Sequence, residues 1–106
     1  MTPKEFRALT RPKLVKLARQ GKLIDTAFKC FQRYVYPGAQ PDQVAVMRTC
    51  FFAGAAELWA MQMAAADEGD DVTDGDEQFL ADFVNEIERF HQRTLQTMTA
   101  NPARQN

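Results

Sequence analysis

An all-α fold, a compact bundle of four to five helices around one long central helix with no β-sheet, follows from three observations. Apolar residues recur at spacings of three and four along most of the 106 residues, the mark of helices that bury one side. No segment alternates apolar and polar residues over a useful length, as a half-buried strand would. Five prolines and five glycines fall where helices would start and stop, and are too few for a low-complexity chain. A chain of this length exposes roughly 17,000 Å² unfolded and roughly 6,000 Å² folded, so a core is within reach without disulfides or metals. One domain over 1–100 is expected, followed by a flexible tail at 101–106.

The elements follow in order. Thr2-Pro3-Lys4-Glu5 reads as a capping box, with Thr2 as N-cap, Pro3 in the first helical position and Glu5 reaching back. A short helix with Phe6 and Leu9 inward then ends near Thr10. Pro12 restarts a helix with Leu14, Leu17 and Ala18 on one face and Lys13, Lys16 and Arg19 on the other. Gly21 is a C-cap or a weak point, and beyond it Ile24, Phe28, Phe31 and Val35 continue the same stripe until Pro37-Gly38. Residues 12–36 therefore form two helices or one bent helix.

The longest element runs from about Pro41 to Ala66, about 39 Å at the helical rise. Val44, Met47, Phe51, Gly54, Leu58, Met61 and Ala65 make one stripe; Phe52, Trp59 and Met63 make a second. A helix apolar on most of its circumference is expected at the centre of a bundle. Gly54, within Ala53-Gly54-Ala55-Ala56, costs about 1 kcal/mol of helix propensity, and close approach of a neighbour is the expected compensation. A last helix starts near Asp74 or Gly75, with Leu80, Phe83, Val84, Ile87, Phe90, Thr94, Leu95 and Met98 inward. Asp76 and Glu77 stand at its positive end and Arg89 and Arg93 nearer its negative end.

Charge is segregated. The chain carries +7 up to Tyr36, −11 from Pro37 to Glu88 and +3 after that. Seven of the acids, Asp67, Glu68, Asp70, Asp71, Asp74, Asp76 and Glu77, fall within eleven residues. Blocks like this stay solvated and commonly serve as interaction surfaces. Such a density approaches that of a nucleic-acid backbone, one charge per ~1.7 Å of duplex, and would attract a surface built to grip phosphates. The alternative is a soluble connector.

Catalytic and metal chemistry finds little to stand on. Cys30, Cys50 and His91 are the only Cys and His residues, whereas zinc needs three or four ligands in a set spacing. Both cysteines have apolar neighbours and read as small hydrophobes. An EF-hand register with Gly75 sixth puts Val72 at position three and Ala81 at twelve, losing the bidentate glutamate. A solvated acidic loop does not raise a carboxyl pKa as general-acid work requires, and His91 beside Phe90 reads as a core-margin residue. Nucleotide-binding glycine motifs are missing. The expectation is a non-enzyme without metal or cofactor.

Lys13, Lys16, Arg19 and Lys22 give the N-terminal third an electrostatic footprint that would suit an anionic nucleotide. The aromatics there follow core spacing, however, and the pI near 5.8 opposes direct nucleic-acid binding. Met1 to Glu5 lack the apolar core of a secretion signal, and no apolar run reaches the ~18 residues of a membrane span. A cytoplasmic protein with no membrane partner is expected.

Met47-Arg48 followed by Phe51-Phe52-Ala53-Gly54-Ala55-Ala56-Glu57-Leu58-Trp59, an acidic connector and a final helix resembles small proteins of bacteriophages and prophages. The resemblance covers roughly Leu23 to Phe90 and rests on a packing motif. In size, solitary helical domain and absence of catalytic parts, the chain also resembles helical anti-CRISPR inhibitors of type I-E systems. That implies a cytoplasmic protein of the host bacterial cell that binds the Cascade surveillance complex or its Cas3 nuclease and blocks interference stoichiometrically. No inhibitor residue carries over by motif, so the seven clustered acids are the partner-binding candidates on charge alone. The alternatives are an oligomeric sponge for an anionic immune nucleotide and a phage accessory or structural protein acting by helical packing.

Overall fold

A computed structural model describes residues 1–100, and the side-chain surroundings of residues 1–96. Five α-helices and no strand occur among them: α1 Pro3–Arg7, α2 Arg11–Arg19, α3 Leu23–Val35, α4 Pro41–Ala65 and α5 Asp74–Ala100. The fold is all-α with a long central helix, as expected. Tertiary contacts divide the chain into two compact units, Met1–Trp59 and Ala60–Asn106. The expected tail at 101–106 and the inward placement of Met98 lie outside the described residues.

The first unit is organised on α3. The capping box of α1 forms as the sequence specifies: the Glu5 amide donates to Thr2 Oγ1 at 3.1 Å and the Thr2 amide donates to Glu5 Oε1 at 2.9 Å. Residues 12–36 resolve into two helices because α2 ends in a Schellman motif. Gly21 sits at φ +69°, its amide donates to Ala18 O at 3.0 Å, and the Lys22 amide donates to Leu17 O at 2.9 Å. A left-handed residue at that position ends the helix, and glycine takes it at least cost. Both α1 and α2 pack on α3, where Phe28 is only 2% exposed; with Phe6 and Cys30 it makes up the buried core among the described residues. Leu14 and Leu17 are half-buried, while Ala18, Ile24 and Val35, expected inward, are exposed.

The start of α4 joins this unit by contacts with α3. Phe51 meets Phe28 edge-to-face at 5.4 Å and Phe31 at 5.6 Å. Asp25 accepts from Arg48 Nε at 3.1 Å and pairs with Lys29 Nζ at 3.0 Å. These two cations, Lys29 foremost, hold the Asp25 carboxyl below its ordinary pKa. The Arg48 guanidinium also lies 4.6 Å from the centre of the Phe52 ring.

Four expectations for α4 are corrected. No residue of it is buried: Val44, Met47, Phe51, Phe52 and Leu58 are half-buried, whereas Trp59 and Met63 are 63% and 57% exposed. No neighbour approaches Gly54, since a methyl built there would meet nothing within 4 Å. Cys50 is exposed, unlike Cys30. And α4 is long and apolar enough to cross a bilayer by length and composition. The physical reason is common to the first three. Apolar residues around a whole circumference call for cover on every side, yet the contacts that α4 makes within the first unit engage only its α3-facing stripe.

The second unit comprises the last turn and a half of α4, the connector 66–73 and α5. Phe79 and Phe83 pair edge-to-face at 5.9 Å and are half-buried. The rest of the expected inward stripe within the described side chains, Leu80, Val84, Ile87, Phe90, Thr94 and Leu95, is exposed, and so is His91. Helical spacing identifies a face that needs cover but not what supplies it, and this unit holds too little of α4 to cover a helix of 27 residues.

Candidate functional site: the acidic loop

The loop between α4 and α5 is closed by its own acids. Thr73 is the N-cap of α5: the Asp76 amide donates to Thr73 Oγ1 at 3.1 Å, and the Thr73 amide donates to Asp76 Oδ2 at 3.1 Å. This is a second capping box, with Asp in place of Glu at the third helical position. Asp76 Oδ1 also accepts from the Asp67 amide at 2.9 Å, and Thr73 Oγ1 donates to Asp67 Oδ2 at 2.6 Å. One carboxylate and one hydroxyl thus tie the entry of the loop to its exit. The two backbone donors, Asp67 first and Thr73 second, hold the Asp76 carboxyl below its ordinary pKa, because hydrogen bonds to the charged form favour it.

Two glycines permit this closure. Gly69, at φ +111°, turns the chain where a side chain would be strained. Gly75 lies so close beneath Asp67 that an added methyl carbon would stand 2.7 Å from Asp67 Oδ2.

The seven sequence candidates therefore separate into two groups. Asp67 and Asp76 are spent on the closure. Glu68, Asp70, Asp71, Asp74 and Glu77 are exposed, and both ion pairs among the described residues belong to Asp25. Beside the loop lies an open hollow of about 310 Å³ whose lining includes Val72, Phe79, Leu80, Phe83 and Gln62. An apolar floor with a charged rim is the composition of a protein-docking patch. Thr73, which orders the loop, is the residue that charge reasoning missed; its signal was Thr73-Asp74-Gly75-Asp76, separated by two residues from the apolar pair Phe79-Leu80.

Other chemistry lies apart from this loop. Among the described residues no three His, Cys, Asp or Glu side chains converge on a metal-sized site. Lys13, Lys16 and Arg19 line the exposed face of α2, and Lys22 stands at the N-cap position of α3 without a side-chain capping bond. A larger open depression of about 880 Å³ occupies the α3–α4 corner, lined by Val35, Tyr36, Val46 and Met47 with Asp42 and Gln43.

No family model, curated protein or solved structure matches this chain.

Proposed function

We propose that this chain is a non-catalytic, phage- or mobile-element-encoded inhibitor of a host defence system. It acts in the bacterial cytoplasm by binding a basic, nucleic-acid-gripping surface, and the resemblance to type I-E anti-CRISPR proteins makes that surface one on Cascade or Cas3. The observation that carries the reading is the division of labour in the acidic loop. Asp67, Thr73 and Asp76 fix the backbone, which leaves Glu68, Asp70, Asp71, Asp74 and Glu77 projecting from a defined loop. Preorganised charge of this kind loses less entropy on binding than a flexible connector would, and it steers the encounter.

The test is capture of purified Cascade and Cas3 by the wild-type chain over a salt series. A second arm uses a variant with Glu68→Gln, Asp70→Asn, Asp71→Asn, Asp74→Asn and Glu77→Gln, keeping Asp67 and Asp76. Wild-type capture is expected to weaken as salt rises, and the variant is expected to lose it while its helix content stays unchanged. Equal capture by both chains would remove the reading.

A second reading is favoured by one specific observation, the exposure of Trp59 and Met63 on α4. Exposed aromatic and Met side chains on a helix suit an accessory or structural phage protein that works by helical packing. Under that reading Trp59→Ala, and not the five-acid variant, abolishes partner capture.

A further inference from the structure

The apolar side of α5 stands open: Leu80, Ile87 and Phe90 are 53%, 54% and 69% exposed. With half-buried Phe83 these residues fall at spacings of three, four and three, the seam of a two-helix coil. Charge along the same helix is divided at one point. Six carboxylates and no base lie from Asp74 to Glu88, and Arg89 and Arg93 with no acid follow up to residue 96. Parallel pairing of two copies would set acids against acids and bases against bases. Antiparallel pairing about a point near residue 85 sets the acids of 74–81 beside the segment that carries Arg89 and Arg93, and leaves 82–88 facing its own copy.

We propose that the chain self-associates through α5 as an antiparallel two-fold pair. The register that buries the seam places Leu80 against Phe90 of the second copy and Phe83 against its Ile87, with the two-fold axis beside residue 85. Val84 then meets Val84 of the second copy across the axis. On the flanks Glu77 faces His91 and Phe79 faces Arg93, a hydrogen-bonding pair and a cation–π pair. Glu86 meets Glu86 near the axis, and Arg89, one turn on, lies within reach of both. The exposed seam residues and Val84 offer on the order of 400 Å² per copy, and the aliphatic stems of the flanking Glu and Arg residues extend this toward the roughly 800 Å² per partner of a standard interface. The second copy is the occupant that this charge division fits, because one helix supplies both halves of the complementarity.

The register is tested with single cysteines in a Cys50→Ser background, where the remaining Cys30 is buried. Under mild oxidation Val84→Cys is expected to give a disulfide-linked dimer and Leu80→Cys is not, since its counterpart is about ten residues, or about 15 Å, away along the helix. Sedimentation of the wild-type chain is expected to report a dimer, and Ile87→Asp a monomer with the same helical circular dichroism. A wild-type monomer at every concentration overturns the proposal, and so does cross-linking through Leu80→Cys in place of Val84→Cys. Monomers would mean that α5 is covered by its own chain or by a different partner. None of these readouts involves Cascade or Cas3, so this inference and the proposed inhibition stand or fall separately.

Discussion

Replacing Gly54 by alanine puts the sequence expectation and the structure in direct opposition. The residue lies in the interior of α4, and a methyl built on it meets no atom within 4 Å. In open helix, alanine is favoured over glycine by about 1 kcal/mol, because the unfolded chain loses freedom and the helix gains propensity. For the first unit, Met1–Trp59, the unfolding entropy near the midpoint is about 0.12 kcal/mol per degree, so Tm should rise by about 8 °C. Had a neighbouring helix pressed on Ala53-Gly54-Ala55-Ala56, the same methyl would overpack the contact and cost about 1–3 kcal/mol, lowering Tm. The sign alone decides between the two, and thermal melts followed by far-ultraviolet circular dichroism read it. Gly75→Ala is the internal contrast, since its methyl would displace the Asp67 carboxylate from Thr73 and forfeit the gain. An unchanged or lowered Tm for Gly54→Ala would refute the open-face description of α4.

Two further perturbations address the first unit and the charge closures. Phe28→Ala removes the most buried side chain and its edge-to-face contact with Phe51; with a cost of about 3–5 kcal/mol against a core of three buried residues, it should be largely unfolded in urea concentrations that the wild type tolerates. Acid should destabilise the chain through Asp25, Asp76 and Glu5, whose folded pKa values all lie below the ordinary ones. Their contribution is complete above the ordinary carboxylate pKa and disappears as pH falls through that value toward the depressed ones. Urea midpoints should therefore hold level from neutral pH down to about 5 and drop below about 4; Asp25→Asn should begin lower and drop less, and a wild-type midpoint that is level to pH 3 would contradict the ion-pair and cap assignments.

Local signals were legible in the residues and tertiary ones were not. Thr2-Pro3-Lys4-Glu5 specified the first cap because a capping box is written in four consecutive residues. Gly21 specified the break between α2 and α3, although only its left-handed φ chose two helices over one bent helix. Burial was misjudged where it depended on a partner. The stripe on α3 found cover from α1 and α2, while equally regular stripes on α4 and α5 did not, since periodicity records a demand for cover and not its source. The acidic cluster was visible as charge, but its split into closing and projecting residues needed the geometry of Thr73, whose hydroxyl is unremarkable by composition.

The closure at Asp67, Thr73 and Asp76 has a consequence for how this stretch tolerates change. Both ends of the segment are fastened by groups outside it, so the five positions from 68 to 72 carry no share of the fastening. Apart from Gly69, whose backbone angle restricts it, they form a cassette. Their side chains, and even their number, can be rewritten to suit a new counterpart while α5 keeps its cap at Thr73.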